Sequence, residues 1–278
     1  DYIDDALSAE EAARGYVLTC QMRAESDCVL RVPASSTLCR TGQARYEARI
    51  SEVRQLSPST IGLSLRGEAL ASLAFLPGQY ARLQVPGSDC RRAYSFANRP
   101  NPQNHLQFLI RLLPGGAMSD YLRQGCRVGD EIRFEAPLGT FYLRQVERPL
   151  LLVAGGTGLS AFLGMLDELA ERGCERPVHL YYGVRRAADL CELQRIAGYA
   201  ERLPGFRFVP VLSEADADWD GRRGYLHEHF DAARLRDEAF DLYLCGPPPM
   251  VEAVRQWLRG RSLEHLRLYL EKFTESGD

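Results

Sequence analysis

None of the eight cysteines in this 278-residue sequence pairs with another as C-x-x-C, so zinc sites built on local spacing are excluded. The cysteines are scattered through a chain long enough to bury a core without covalent staples. That usage points to a reducing compartment, the cytoplasm, rather than a disulfide framework. Charge of neither sign dominates. The formal net charge is −3, and no grip on nucleic acid is expected, because that needs clustered positive charge. The opening stretch "DYIDDALSAEEAARG" is acidic, has no basic-then-apolar leader and does not begin with methionine. Low-complexity tracts and internal repeats are also missing. The longest charge-free run, Pro149 to Leu166, is just long enough to suggest a membrane helix, but Gly155, Gly156, Gly158 and Gly164 interrupt it. A buried strand, a tight turn and a helix account for it better, and no membrane partner is expected.

What is present falls into three textures. Residues 1–43 hold an acidic helix-like piece, the segments "YVLTCQM" and "DCVLRVP", and a linker. Residues 44–147 alternate with period two in six short runs separated by turn signals such as "PGQ", "PGSD" and "VGD", which predicts a small antiparallel barrel. One helical break, "AMSDYLRQG", intrudes after Gly115 and Gly116. Residues 148–278 alternate apolar runs with helical periods: "LLLVA", "VHLYYGV", "FRFVPVL", "DLYLCG" and "LRLYLEKF" are strands, with helices between them. This pattern predicts a five-stranded parallel α/β sheet with both faces covered.

Four motifs carry chemistry. In "LLLVAGGTGLSAF" a buried strand meets a glycine turn and a helix start, and Gly156 to Ala161 fits G-x-G-x-x-A. Gly155, Gly156, Thr157 and Gly158 would let a pyrophosphate approach backbone N–H groups at a helix N-terminus. The acidic residue expected at the end of the next strand is absent, and Arg185 and Arg186 stand there instead. In "DLYLCGPPPMVEAV" a strand delivers Cys245, Gly246 and Pro247 to its C-terminal end, where ligands of open α/β sheets bind. In "RRAYSFANRP", Arg92 and Tyr94 share one face of a strand on either side of Ala93, and Ser95 follows. A cation beside an aromatic ring suits a ligand with a phosphate and a flat ring system. In "LLPGGAMSDYL", Gly115, Gly116, Met118 and Ser119 open a short helix, a second anion cradle.

This ordered set resembles the ferredoxin–NAD(P) reductase superfamily over roughly Tyr46 to Phe273. Within it, the phrases "LPGQYARL", "YSFANRP", "APLGTFYLR", "VAGGTGLSAF", "YLCGPPPMVEA" and "EKF" are similar to those of the reductase components of benzoate/toluate-type ring-hydroxylating dioxygenases. The resemblance implies a six-stranded antiparallel flavin-binding barrel followed by a five-stranded parallel α/β NAD-binding domain. It implies that NADH reduces FAD and that electrons pass to the oxygenase component, a separate chain. It assigns Arg92, Ala93, Tyr94, Ser95, Gly115, Gly116, Met118 and Ser119 to FAD. Gly155 to Gly158, Arg185, Cys245, Gly246 and Pro247 go to NAD, and Ser95, Cys245, Glu271 and Phe273 to the place of hydride transfer. Residues 1–43 resemble the end of a plant-type [2Fe-2S] ferredoxin domain, with Cys20 matching the fourth cluster ligand. The other three have no counterpart, so the cluster is expected in a longer protein and not in this fragment.

Two other readings stay open at this stage. The alternative is the reductase of another multicomponent oxygenase, such as a soluble diiron hydroxylase, which shares the catalytic motifs and differs in its partner-facing surface. A nucleotide-binding regulatory subunit on the same fold is the non-enzyme reading. His179, His227 and His229 read as structural or surface residues and not as catalysts, and no convincing Ser-His-Asp or paired-carboxylate motif is present in the sequence.

Overall fold

The computed structural model describes residues 12–17, 29, 42–261, 263 and 265–273. The chain divides into two compact units, Asp1–Arg40 and Thr41–Asp278, and every strand and helix from Ala44 onward lies in the second. Cys20, Cys28 and Cys39 fall outside the described residues.

The period-two half of the sequence forms strands β1 (Ala44–Ser57), β2 (Thr60–Arg66), β3 (Tyr80–Gln84), β4 (Arg91–Ser95) and β5 (His105–Arg111), helix α1 (Ala117–Gln124) and strand β6 (Glu131–Leu138). They join as one antiparallel sheet in the order β4-β3-β6-β1-β2-β5. Alternation sets which face is buried. In β3, Ala81 and Leu83 point inward and are fully buried, while Tyr80, Arg82 and Gln84 face out. Ile50, Leu63, Leu65, Phe96, Phe108 and Ile132 fill the interior with them.

The alternating half forms β7 (Leu150–Gly155), α2 (Leu159–Arg172), β8 (Val178–Val184), α3 (Leu193–Arg202), β9 (Phe206–Leu212), β10 (Arg222–Arg223), α4 (Ala232–Asp237), β11 (Phe240–Gly246), α5 (Pro248–Arg259) and β12 (Leu266–Lys272). The sheet is parallel throughout, in the order β10-β9-β8-β7-β11-β12. The five strands expected from sequence are all present. The sixth, β10, is two exposed residues long, too short to leave an apolar pattern. Strands β7 and β11 are buried along their whole length, as central parallel strands must be. The chain order reverses between these two, which opens a crevice at their C-terminal ends.

Helix α2 joins the two halves. From Leu159 to Leu166 every residue is buried, so it is apolar on more than one face. One face lies on the sheet. The other meets the barrel: a Cβ added at Gly164 would come within 2.9 Å of the Asn98 carbonyl oxygen. Phe162, Leu163 and Leu166, each fully buried here, contribute about 1.5–3 kcal/mol apiece.

Candidate active site

On the barrel, β4 runs antiparallel to β3, with Tyr80 opposite Ser95 and Ala81 opposite Tyr94. Tyr94 is half-buried, and that desolvation holds its phenol neutral, well above the ordinary range. Arg92 lies two residues earlier, on the same face of the strand. Ser95 is buried, and its hydroxyl lies 3.4 Å from Glu271 Oε2. Gly139, with φ +87°, sits against Tyr80 and Glu271: a Cβ there would come 2.8 Å from the Tyr80 ring and 3.4 Å from Glu271 Oε1. Tyr80 and Gly139 escape a motif-by-motif reading. Their sequence signals are the phrases "LPGQYARL" and "APLGTFYLR", in which Tyr80 follows the turn "PGQ" and Gly139 closes the turn "PLG".

The second cradle is formed where β5 leads to α1. Gly115 takes φ +67° with open space around it, and Gly116 is the residue before the first helical turn. The Ser119 hydroxyl turns inward. It accepts from the Leu113 N–H at 2.9 Å and approaches the Arg111 carbonyl at 3.5 Å. It therefore shapes the loop, and the first-turn backbone N–H groups are what this cradle can offer an anion. Met118 is buried beneath it.

The third element is the crevice between β7 and β11. The stretch Gly155-Gly156-Thr157-Gly158 passes directly over the end of β11. A Cβ on Gly158 would overlap the Cys245 carbonyl oxygen, and one on Gly155 would overlap Met250 Sδ and come 2.9 Å from the Pro247 ring. Cys245 is fully buried, and desolvation keeps its thiol protonated, with the nearby Glu271 adding to the shift. Register places Cys245 opposite Glu271 and Gly246 opposite Lys272, and the Phe273 N–H donates to the Gly246 carbonyl at 3.0 Å. Ser95, Cys245, Glu271, Phe273 and the glycine loop thus meet at one place. Arg92, Gly115, Gly116 and Ser119 lie on the barrel side, and Arg185 stands just past the end of β8, its guanidinium held by Glu214 at 2.8 and 2.5 Å. No cluster of His, Cys, Asp and Glu suited to a metal ion occurs among the described residues.

Burial raises the Glu271 carboxyl from 4.5 to about 7, against the opposing pull of the Ser95 hydroxyl. Between those values the folded chain holds a proton that the unfolded chain has released. The stability that this carboxyl contributes is therefore fully present below pH 4.5 and is lost as pH rises through about 7. Glu271→Gln removes this dependence. Thermal melts should show the variant gaining on the wild type between pH 5 and pH 8, and an unchanged difference in Tm would contradict the shift.

Comparison with known proteins places this geometry. Residues 47–142 match the oxidoreductase FAD-binding domain family and residues 152–256 the oxidoreductase NAD-binding domain family. The chain is 52% identical to the toluate 1,2-dioxygenase electron transfer component of Pseudomonas putida, over 99% of this chain and 82% of that one. It is 50% identical to the anthranilate 1,2-dioxygenase electron transfer component of Acinetobacter baylyi, over 99% and 81%. Among solved structures it is similar to a cytochrome P450 reductase of Amycolatopsis, with a TM-score of 0.80 and 38% identity, covering 99% of this chain and 83% of that one.

Proposed function

We infer the function from a family premise: the chain belongs to the electron-transfer components of aromatic-ring dioxygenases, within the ferredoxin–NAD(P) reductase superfamily. It is an NADH-dependent flavoprotein oxidoreductase that delivers electrons to the oxygenase component of a ring-hydroxylating dioxygenase acting on benzoate- or toluate-like acids. The observation that carries this reading is the meeting of the glycine loop, Cys245 and Glu271 with Ser95 at the end of the barrel strand that bears Tyr94.

The residues fit both cofactors. Gly155 and Gly158 are packed so tightly that only glycine fits, which leaves backbone N–H groups as the lining. The cradle before α1 is open at Gly115. In our assignment Arg92 holds the flavin phosphate, and Tyr94, reached through Ala93, lies along the ring system. Gly115, Gly116, Met118 and Ser119 surround the pyrophosphate, with the Ser119 hydroxyl as a loop support. The Gly155-to-Gly158 loop receives the NADH pyrophosphate, Cys245, Gly246 and Pro247 border the nicotinamide, and Arg185 stands near the adenosine ribose. FAD held by these residues would supply the chemistry: a hydride acceptor for NADH and a donor of single electrons. The chain's own part is to bring the two rings together, exclude water with Phe273 and the buried Cys245 thiol, and hold a proton on Glu271 within reach of the Ser95 hydroxyl. Cys20 is assigned as the fourth [2Fe-2S] ligand in the full-length protein.

Among the described residues no helix is long and apolar enough to cross a membrane. The buried free thiols Cys191 and Cys245 support placing the protein in the cytoplasm. The purified protein should be yellow, and anaerobic NADH should bleach it. Reduced full-length protein, carrying its [2Fe-2S] cluster, should then reduce a purified ring-hydroxylating oxygenase. A colourless protein that cannot be reconstituted with FAD would overturn the enzyme reading. Transfer only to a diiron hydroxylase would overturn the choice of partner.

A further inference from the structure

The open edges of the barrel sheet are β4 and β5, and they almost meet. The Ala97 N–H, just beyond β4, donates to the Gln107 carbonyl on β5 at 2.7 Å. Antiparallel alternation then places Ser95 opposite Leu109, and the next ladder bonds should run from Gln107 N–H to the Ala97 carbonyl and from Leu109 N–H to the Ser95 carbonyl. Neither is made. The Gln107 N–H donates instead to Asn98 Oδ1 at 2.7 Å. The Ala97 carbonyl accepts from Arg195 Nη2 at 2.7 Å. The Ser160 hydroxyl stands between the other two groups, accepting from the Leu109 N–H at 3.3 Å and donating to the Ser95 carbonyl at 3.0 Å.

Ser160 and Arg195 belong to α2 and α3, the helices of the NAD-binding half. Both are rigidly held. Ser160 is fully buried in the first turn after the glycine loop. Arg195 also bonds Asp167 at 2.6 Å and Tyr199 at 3.0 Å, and Tyr199 donates to Asp167 at 2.6 Å, so its fork is fixed.

We propose that Ser160 and Arg195 are positioning residues: the NAD-binding half closes the flavin barrel, and these two side chains, standing in for missing β4–β5 ladder bonds, set the register between the nicotinamide cradle and the strand carrying Tyr94 and Ser95. Ser160 links the two parts over the shortest path. It begins the helix that follows Gly155 to Gly158, and it grips the carbonyl of the residue whose hydroxyl faces Glu271. Displacement of such a contact by about 1 Å is enough to slow hydride transfer by about a hundredfold.

The proposal rests on the flavin reading for its consequence but not for its geometry, and the test separates the two. Ser160→Ala and Arg195→Met are compared with the wild-type holoenzyme. Amide hydrogen exchange should accelerate at Leu109 in Ser160→Ala by about tenfold or more, while Phe108 and Ile110, whose amides face β2 by alternation, keep their protection. With FAD bound, the limiting rate of flavin reduction by NADH should fall by about tenfold to a hundredfold in both variants, with NAD+ affinity and reduction by dithionite unchanged. Arg195→Lys, which keeps the charge beside Asp167 but lacks the fork, should lose less than Arg195→Met, and it carries the test if Ser160→Ala fails to fold. Unaltered Leu109 exchange, or an unaltered limiting rate in flavin-loaded variants, overturns the proposal. A wild-type protein that binds no FAD overturns the flavin reading instead, and the exchange measurement then still decides whether Ser160 closes the barrel.

Discussion

Gly158→Ala should reduce the rate of flavin reduction by NADH by about a hundredfold while leaving flavin bound. The expectation does not come from local conformation. Gly158 has φ −57° and ψ −18°, helical values that alanine adopts without strain. Packing opposes the substitution. The new Cβ would overlap the Cys245 carbonyl oxygen, with the carbonyl carbon at 2.7 Å and Gly246 Cα at 3.1 Å. All three are backbone atoms of β11, which lies between β7 and β12 and is buried throughout. No flexible side chain can swing away. Either the start of α2 lifts from β11, or β11 shifts beneath it, and overpacking of this kind costs about 1–3 kcal/mol. Lifting α2 also pulls Ser160 from Ser95 and Leu109. Gly156→Ala is the control. Its φ of +53° makes alanine strained by about 1–2 kcal/mol, but open space surrounds it. Stopped-flow reduction and thermal melts of the pair distinguish a packing requirement from a conformational one. A Gly158→Ala protein reduced at the wild-type rate would show that the cradle is not seated on β11 as described.

Much of this architecture is legible in local sequence because its causes are local. Strands β7 and β11 are uninterrupted apolar runs, and the barrel strands alternate. Prolines 247 to 249 mark where α5 begins: the helix starts at Pro248, two residues before the apolar pattern does, because proline is well suited to the first turn. Helix α3 does not begin as soon as β8 ends but only at Leu193. Asp189 is engaged elsewhere, accepting from the Arg186 N–H at 3.3 Å and from the Ser59 hydroxyl at 2.8 Å, which folds Ala187–Asp189 into a tight turn. The rest depends on partners far along the chain. Ser160 looks like a single polar residue in an apolar helix until Ser95 and Leu109 are beside it. Arg54 and Glu192, paired at 2.6 Å, lie in separate halves of the sequence. Glu192 itself takes φ +58°, which no local signal announces. Long-range pairings are set by how the two halves dock, and single-segment patterns carry no trace of that.

Coenzyme choice turns on such a pairing, and Glu214→Gln should raise kcat/KM for NADPH by roughly tenfold to a hundredfold. The sequence puts Arg185 and Arg186 where an acidic residue ordinarily marks an NAD site, and taken alone they suit a 2′-phosphate. The structure supplies the acid from the neighbouring strand. Beyond β9, the Ser213 N–H donates to the Val184 carbonyl and the Glu214 N–H to the Arg185 carbonyl at 2.8 Å, which carries Glu214 alongside the end of β8. Its carboxylate takes two donors of Arg185 and lies 3.6 Å from Arg186 Nε. The Arg185 guanidinium is held firmly charged by that partner, but its charge is largely answered within the chain. A phosphate arriving here would have to displace a carboxylate and then lie beside it. A ribose hydroxyl meets no such repulsion and can donate to the same oxygen. Glu214→Gln keeps the shape of the side chain and removes the charge, so NADH turnover should change little while NADPH turnover rises. Glu214→Arg should extend the effect, since a third cation then replaces the repelling group. The pair of coenzymes measured on one preparation gives the ratio directly, and tighter inhibition by 2′-phospho-AMP than by AMP locates the change at the ribose. An unchanged ratio in both variants would place the adenosine away from Arg185, and the choice of NADH would then lie with residues other than this triad.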